Sequence, residues 1–321
     1  MQAVRGQLQL MNRRQPIPEV LADEASPADL KRRLTIVQEA RNFAVDTLLL
    51  PDNKSYRSYA DLGRDYVVWN VFAAPEFSLE PKTWCFPVAG CVAYRGYFAE
   101  DAARKKANSL SDDGFDVVVG GVSAYSTLGR FSDPVLNTMM RWTDVQLVST
   151  IFHELAHQKL YIKGDTAFNE SFATAVADFG IKRYLSEHGA LSGAERTKDE
   201  REMRQEMMVL IEAAKADLSE LYALDIQDDL KRGRKQQLLA DLSASVARLI
   251  EERGSDPGNW LSVPLNNARL ASIGLYEGRQ GAFQAILRNC NEDLACFYEE
   301  TEKLAKLDPD VRKVRMDQMA D

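Results

Sequence analysis

Residues 143–180 constrain what this chain can fold into more than any other segment. They contain His-Glu-Leu-Ala-His at positions 153–157 and Asn-Glu at positions 169–170. On an α-helix, two histidines four residues apart differ by about 40° in direction and by about 6 Å along the axis, so both imidazoles can reach one metal ion. Glu154 then flanks the open coordination position. The segment therefore predicts a metal site with its own general base.

Capping signals place this motif on two consecutive helices. Thr143 and Gln146 form a capping box, which predicts that the first helix begins there and continues to about residue 160. Residues 161–165 connect it to a second helix that ends near residue 187. If the two helices are antiparallel, Glu170 lies level with His157, so its carboxylate can meet the same metal.

Two histidines and one carboxylate are a donor set of catalytic zinc sites. His153, His157 and Glu170 are therefore the predicted ligands of Zn²⁺, and a fourth position is left for water, whose pKa the metal lowers towards about 7. Glu154 is predicted to take a proton as the water attacks a peptide carbonyl, and then to pass it to the leaving amine. This chemistry is that of a zinc-dependent peptidase.

Further side chains are needed to stabilise the developing oxyanion and to orient the histidines. The candidates for the oxyanion donor are Tyr125, Tyr94, Arg95 and Tyr97, with Tyr125 as our prediction. Thr174 and Asp178 lie one and two turns beyond Glu170, and either can accept the remaining N–H of a metal-bound histidine. The spacing alone does not choose within either group.

Three stretches rich in β-branched and aromatic residues predict strands at positions 65–74, 91–98 and 116–126. The last stretch contains Gly120 and Gly121, which have no side chains to cover the backbone. A peptide could then add to this strand as an extra strand, if the strand borders the cleft. The alternative is that the glycines form a bulge inside a sheet.

The remainder of the chain reads as helical. A helix capped by Ser26 is expected to run to about residue 50, and residues 195–253 are expected to form a long antiparallel hairpin. The predicted class is α+β, predominantly helical, with a small β-sheet, a two-helix metal site and this long hairpin. Residues 1–190 would form the catalytic core, and residues 191–321 a helical region packed on it, either as a separate domain or as part of the same single domain.

The charge balance excludes some functions. The chain has 48 acidic and 40 basic residues, which gives no electrostatic reason to expect binding to nucleic acid or to an anionic membrane surface. No apolar run has the length needed to span a bilayer. The apolar stripes of residues 195–253 are expected to pack together or on the core. The alternative is an arm that docks a protein partner or covers the cleft.

The four cysteines form two close pairs, Cys85 with Cys91 and Cys290 with Cys296. Matched local pairs favour two short disulfides and an oxidising compartment such as a periplasm, although four buried thiols are the alternative. Residues 1–10 lack the features of a signal peptide and read like the middle of a helix. We therefore expect the natural chain to begin further upstream.

Several stretches resemble one family. His-Glu-Leu-Ala-His-Gln at 153–158, together with Gly-Asp-Thr-Ala-Phe-Asn-Glu-Ser-Phe-Ala at 164–173, resembles the putative aminopeptidases of proteobacteria, a family of predicted zinc peptidases. Residues 7–10, 88–98, 125–129 and 266–268 resemble its other signature stretches, so the similarity extends over most of the chain.

The resemblance implies a zincin-like core of the gluzincin type, with His153, His157 and Glu170 as ligands and Glu154 as the base. It also implies an exported protein that carries an N-terminal lipoprotein signal in its precursor. The chain departs from thermolysin-like peptidases in two ways. The gap between His157 and Glu170 is shorter, and Thr174 stands where those enzymes have an aspartate.

Two classes of function follow from these patterns. The first is a zinc peptidase that acts on peptides or proteins, by family analogy an aminopeptidase, with an endopeptidase as the alternative. An aminopeptidase needs an acceptor for the substrate ammonium group, for which Glu76, Glu80 and Asp165 are candidates. The second is an exported metal-binding adaptor that recruits a protein partner through residues 195–253.

Overall fold

The fold is described from a computed structural model, in which residues 2–86, 90–254, 263–274 and 280–320 are described. The helices are α1 (Gln2–Asn12), α2 (Ile17–Ala22), α3 (Ala28–Asp46), α4 (Glu100–Asp112), α5 (Asp144–Lys159), α6 (Thr166–His188), α7 (Ala194–Ala223), α8 (Asp228–Glu252), α9 (Asn267–Gly274), α10 (Gln280–Asn289), α11 (Leu294–Ala305) and α12 (Pro309–Ala320). The strands are β1 (Arg14–Pro16), β2 (Ser58–Ala60), β3 (Val68–Pro75), β4 (Trp84–Phe86), β5 (Gly90–Val92), β6 (Arg95–Tyr97), β7 (Phe115–Val122) and β8 (Val135–Leu136). This is the predicted α+β class with a predominance of helices.

The largest strand pairing is between β3 and β7. β3 is the central strand of an antiparallel sheet in the order β6-β3-β7. Its pairing with β7 is continuous across all 8 residues of β7, so Gly120 and Gly121 do not form a bulge. Within the described part of the chain, β7 pairs with β3 alone, and all of its residues keep some exposure, whereas most of β3 is buried. β7 is therefore an edge strand of the described sheet.

The strand predicted over residues 91–98 is instead two strands in different sheets. β5 pairs with β4 in a small hairpin, in which Cys85 lies opposite Cys91 and forms a disulfide with it. β6 lies beside β3 in the larger sheet. Because the disulfide holds β5 to β4, the chain turns after Val92 before it reaches β3. The second predicted disulfide, between Cys290 and Cys296, is also present.

The two faces of the larger sheet contact different helices. α4 covers one face, towards which Val71 and Tyr97 point. α9 covers part of the opposite face, where Ala268 packs near Phe72. Further along this second face, Val68 joins the large core to which α3, α5, α6 and α10 to α12 contribute. The helices with the predicted metal ligands therefore lie on the α9 side of the sheet.

α7 and α8 form the long hairpin that the sequence predicts. Their apolar stripes pack together and extend to Leu270 of α9 and to Leu79. Where the hairpin meets the sheet, the buried Lys235 donates to Asp116 Oδ2 of β7 at 2.7 Å and to the carbonyl of Glu76 at 2.8 Å. Apolar and charged contacts thus hold the hairpin against the core.

α3 differs from its predicted limits. Its N-cap is Pro27 and not Ser26, so the helix begins at Ala28, one residue later than predicted, and the cap makes no side-chain hydrogen bond. It ends at Asp46, about one turn earlier than predicted. The buried Arg41 donates to the carbonyls of residues 51, 53 and 55, so the chain that follows is held against the helix and cannot extend it.

The region beyond residue 190 contributes to more than one core. α10, α11 and α12 add Phe283, Phe297 and Met316 to the same apolar cluster as α5 and α6, whereas the long hairpin forms a second cluster with α9. A domain boundary near residue 190 stays a prediction. None of the helices in the described ranges combines the length and the apolar character that crossing a bilayer requires.

Candidate metal centre

The two helices that carry the candidate ligands begin at side-chain caps. At the start of α5, the Thr143 hydroxyl accepts from the N–H of Gln146, and the Gln146 side chain accepts from the N–H of Thr143, which confirms the predicted capping box. At the start of α6, Asp165 Oδ1 accepts from the N–H of Phe168 at 3.0 Å. The two helices pack against each other, and the caps fix where each of them begins.

His153, His157 and Glu170 converge on one point. The two Nε2 atoms lie 3.1 Å apart, His153 Nε2 lies 3.2 Å from Glu170 Oε2, and His157 Nε2 lies 3.7 Å from Glu170 Oε1. A tetrahedral zinc ion with ligand bonds of about 2.0–2.2 Å separates its ligand atoms by roughly 3.3–3.6 Å. The donor set and its spacing therefore both fit zinc.

Asn169, the neighbour of Glu170, fixes the connection between the two helices. Its side chain is buried, and its Nδ2 donates to the carbonyl of Ile162 at 2.7 Å. Its Oδ1 accepts from the N–H of the same residue at 2.8 Å. This pair of bonds ties the first turn of α6 to the connection, so Asn169 helps to set the position of Glu170.

The C-terminal helix also reaches this connection. Arg312 of α12 is buried, and its Nε and Nη2 atoms lie 2.9 and 2.8 Å from Asp165 Oδ2. The other oxygen of Asp165 caps α6. Arg312 Nη1 also donates to the carbonyls of Ala305 and Leu307. The N-terminus of the helix that carries Glu170 is thus held by a residue 147 positions away.

Negative charge dominates the electrostatics of the site. Burial acts to raise the pKa of Glu170, but hydrogen bonds with His153 and His157 outweigh it and lower the pKa to about 2. Burial acts to lower the pKa of His153, but its hydrogen bond with Glu170 and the charges of Glu154, Glu170 and Asp178 outweigh it and raise the pKa. Such an environment favours a cation.

A second acidic side chain lies within electrostatic range of Glu154. Asp133 is 1% exposed, and its carboxylate accepts from the N–H and the hydroxyl of Thr127 at 2.8 Å each. Burial raises the pKa of Asp133 to about 6, and the charge of Glu154 adds to the shift. No sequence pattern indicated this carboxyl group, because only the fold of the loop after β7 brings it near α5.

One tyrosine beside the candidate ligands, Tyr161, is not among the oxyanion donors predicted from the sequence. Its ring centroid lies 6.3 Å from that of His157. Burial raises the pKa of Tyr161, and the charge of Glu170 raises it further. The position of this tyrosine, four residues after the second histidine at the end of the helix, could have indicated it from the sequence. Its ring lies near the site, however, only because the connection between the two helices folds back towards the ligands.

The four predicted oxyanion donors occupy different positions. Tyr125 packs edge-on against Phe98, with 5.4 Å between ring centroids, and burial raises its pKa. Tyr94 packs against Phe72 on the α9 side of the sheet. The guanidinium carbon of Arg95 lies 5.5 Å from the ring centroid of Tyr97, and Tyr97 points into the α4 face, away from the helices that carry the candidate ligands.

The structure also distinguishes between the two candidates for orienting the histidines. Asp178 lies close enough to His153 for its charge to raise the pKa of that imidazole. Thr174, one turn nearer to Glu170, is uncharged and is not among the groups that shift the pKa of His153. The Nδ1 atom of His157 is buried and has no hydrogen-bond partner there. Asp178 is therefore the better of the two candidates, and for His153 only.

Two of the candidate acceptors for a substrate ammonium group are already engaged. Glu76 forms an ion pair with Arg232, with 2.6 Å between Oε1 and Nε. Asp165 is bound by Arg312.

The disulfide hairpin packs closely against the connection between α5 and α6. A Cβ atom added at Gly90 of this hairpin would come within 2.8 Å of Gly164 N.

Comparison with known proteins identifies one family. Residues 1–316 match the family model described as Putative aminopeptidase. No curated protein and no solved structure matches the chain. The family match includes both helices that carry the candidate ligands, the larger sheet and the long hairpin. The chain therefore belongs to the Putative aminopeptidase family.

Proposed function

We propose that this protein is a zinc-dependent peptidase with a zincin-like core of the gluzincin type, and that it acts as an aminopeptidase. The observation that carries the proposal is the convergence of His153, His157 and Glu170, whose ligand atoms all lie within 4.8 Å of one another. Membership in the Putative aminopeptidase family supports peptides or proteins as substrates. We propose Zn²⁺ because this donor set leaves room for a water molecule and suits that ion.

The chain's own residues would divide the work as follows. Bound to the three ligands, Zn²⁺ would supply a Lewis acid that polarises the scissile carbonyl and lowers the pKa of a water molecule. Glu154, next to His153 on the same helix, takes the proton of the attacking water and delivers it to the leaving amine. Asp178 orients His153 by its charge, and Asn169 keeps Glu170 in place through Ile162.

Tyr161 is the proposed donor to the developing oxyanion. Its ring lies beside His157, and a tyrosine hydroxyl is protonated at neutral pH, so that it can donate. Tyr125 remains the donor predicted from the sequence. The two tyrosines are distinguished by substituting each of them with phenylalanine.

The outer edge of β7 is the proposed binding place for substrate backbone. An edge strand offers unpaired N–H and C=O groups, to which an extended peptide can add as a further strand. Part of this edge is already used, because Asn266 Nδ2 donates to the carbonyl of Val117 at 3.0 Å. The chain then continues from Val122 into the loop that carries Asp133 towards Glu154. A peptide on the remaining edge would thus lie near the metal helix.

We further propose that the protein acts in the periplasm and is anchored as a lipoprotein through its precursor. Two disulfides suit an oxidising compartment. The adaptor function is less well supported, because the apolar stripes of the long hairpin pack on each other and on α9 and do not form a free arm.

A comparison of peptides with free and with blocked N-termini tests the proposal. The zinc-loaded protein should release the first residue of the free peptides and leave the blocked peptides intact, as followed by mass spectrometry. Glu154→Gln should be inactive, whereas Glu220→Gln on the exposed face of α7 should match the wild type. Cleavage of blocked peptides would identify an endopeptidase. Equal inertness of wild type and Glu154→Gln towards both sets would refute peptidase activity.

A further inference from the structure

A buried tyrosine follows a segment that is bound to the side of α5 that carries the proposed base. Glu154 and Gln158 are one turn apart, so their side chains leave α5 on the same side. Asn53 Nδ2 donates to Gln158 Oε1 at 2.7 Å, and Gln158 Nε2 donates to Ser55 Oγ at 3.4 Å. The next residue along the chain is Tyr56, which is 2% exposed. Tyr56 is therefore anchored next to the Glu154 side of α5.

The backbone of Tyr56 has a conformation that tyrosine seldom adopts. Its φ is +60°, in the left-handed region. Its N–H donates to the carbonyl of Asp133 at 2.6 Å, and the buried Arg41 donates to the carbonyl of Ser55 at 3.2 Å, so the surrounding chain imposes this conformation. Glycine or asparagine would suit this backbone better. The reason for a tyrosine here therefore lies in its side chain.

The hydroxyl of Tyr56 lacks a partner in the part of the chain that the structure describes. The oxygen is buried, and no described group forms a hydrogen bond with it. Ser126 lies near enough to act on the pKa of Tyr56 but not in hydrogen-bond geometry, and its own oxygen accepts from the N–H of Leu128 at 3.2 Å. A buried hydroxyl without a partner lowers stability, whereas a phenylalanine would fill the same space without this cost. Packing thus accounts for the ring but not for the hydroxyl.

Two carboxylates act on this hydroxyl through their charge. Burial raises the pKa of Tyr56 well above its ordinary value, and the charges of Glu154 and Asp133 raise it further. The oxygens of Asp133 already accept from the N–H and the hydroxyl of Thr127. The carboxylate of Glu154 is half-buried, and none of the described residues donates a hydrogen bond to it. Glu154 is therefore the acceptor that remains open.

A small movement joins the two groups. The Glu154 side chain turns about its own single bonds, and hydrogen bonds that serve catalysis are often longer in a protein without substrate than in the working complex. A tyrosine hydroxyl that donates to a carboxylate forms a short bond of about 2.5–2.7 Å, which is stronger than a bond between neutral groups. Such a bond fixes the direction of the carboxylate. A misplacement of about 1 Å at a reacting group costs about 100-fold in rate.

We propose that Tyr56 is a positioning residue for the base. Its hydroxyl donates to one oxygen of the Glu154 carboxylate and leaves the other oxygen to take the proton of the attacking water. The proposal rests on the proposed peptidase function, because Glu154 needs a fixed direction only if it transfers protons. It adds a residue that touches neither the metal ligands nor the substrate.

The kinetic test compares Tyr56→Phe with Tyr59→Phe. In the zinc-loaded Tyr56→Phe protein, kcat should fall by about 10- to 100-fold, and KM for a peptide with a free N-terminus and the zinc content should stay within about 2-fold of the wild type. Tyr59 is also buried, at 8% exposed, but the charge that acts on it is that of Asp61. Tyr59→Phe should therefore keep the wild-type kcat. An unchanged kcat in Tyr56→Phe, or a loss of zinc together with activity, would overturn the proposal.

A double-mutant cycle tests the pair without measuring activity. Tyr56→Phe is expected to lower the Tm of the wild type by about 2 °C, because it removes one hydrogen bond. In Glu154→Met, whose side chain has a similar length and no carboxylate, the same substitution should leave the Tm unchanged or raise it. Equal shifts in the two backgrounds would mean that the hydroxyl does not pair with Glu154. A Tyr56→Phe protein that does not fold would show that the hydroxyl serves the fold itself, and this result also contradicts the proposal.

The two measurements together separate this proposal from the peptidase function. An inert wild type with Tm shifts that depend on Glu154 would refute the peptidase and keep the pair of side chains. An active wild type, matched by Tyr56→Phe in kcat and with equal shifts in both backgrounds, would keep the peptidase and refute the pair. A shift that disappears in Asp133→Asn and persists in Glu154→Met would assign the hydroxyl to Asp133 and refute the pair as well.

Discussion

Arg312 in the last helix binds Asp165, the residue that caps the helix of Glu170, with its Nε and Nη2 atoms 2.9 and 2.8 Å from one carboxylate oxygen. The two residues are 147 positions apart in the sequence. Through this contact, the C-terminal region acts on the position of a metal ligand. Supporting groups of this kind commonly change metal affinity by about 10- to 100-fold when they are removed.

Replacing Arg312 should therefore weaken metal binding. Arg312→Gln is expected to lower the affinity for Zn²⁺ by about 10-fold or more, because Asp165 loses its partner and the first turn of α6 loosens. Competition with a chromophoric chelator measures the affinity directly. Arg315→Gln, an exposed change on the same helix, is the control and should leave the affinity unchanged. An unaltered affinity in Arg312→Gln would contradict a role for this contact in placing Glu170.

The buried Asp133 should make stability depend on pH. Its pKa is raised by burial from the ordinary value of 3.8 to about 6 in the folded protein. Because the folded protein binds this proton more tightly than the unfolded chain does, the proton contributes fully to stability below pH 3.8. This contribution is lost as the pH rises through about 6. A shift of about 2 units corresponds to roughly 3 kcal/mol.

Asp133→Asn removes this titration. The advantage in the free energy of unfolding that the wild type has over Asp133→Asn should therefore be largest near pH 4 and should shrink by roughly 3 kcal/mol towards pH 8. Urea unfolding at several pH values measures both proteins. A difference between them that does not change with pH would show that Asp133 titrates normally in the fold.

The ion pair between Lys235 and Asp116 should hold the long hairpin to the sheet. Lys235→Met is expected to cost about 3 kcal/mol, because it leaves the carboxylate of Asp116 with the N–H of Asn267 as its remaining partner among the contacts described. In the double variant with Asp116→Asn the cost should be smaller than the sum of the single costs, since the unpaired charge is gone. Strictly additive costs would argue that the two side chains do not stabilise each other.

The two tyrosines near the site should differ in their effect on the chemical step. Tyr161→Phe is expected to lower kcat by about 10- to 1,000-fold and to leave zinc content unchanged, because the hydroxyl would act on the transition state and not on the metal. Tyr125→Phe should have a much smaller effect, since Tyr125 packs on Phe98. If the larger loss occurs in Tyr125→Phe, the donor predicted from the sequence is the correct one.

The parts of the fold that depend on local sequence could be predicted. The capping box at Thr143 sets the start of α5, and the spacing of His153 and His157 puts both imidazoles on one face of that helix. The short connection then brings Glu170 to the same level. These relations involve residues fewer than 30 positions apart, so helix geometry alone determines them.

The parts that depend on distant contacts could not be predicted in this way. Asp133 reaches the neighbourhood of Glu154 only because the loop after β7 folds against α5, and Arg312 reaches Asp165 only because α12 packs on α10. The split of residues 91–98 into two strands depends on the disulfide of Cys85. Periodicity within a segment carries no information about such partners.

The central claim is that His153, His157 and Glu170 form a zinc site, and metal analysis tests it most directly. Protein purified without chelators and dialysed against metal-free buffer should contain about one zinc ion per chain by mass spectrometry of the metal. Glu154→Gln should keep the zinc, and His188→Ala, which removes the histidine outside the site, should keep it too. His157→Ala should lose it. Wild-type protein without bound metal, or His157→Ala protein with a full complement of zinc, would contradict the account.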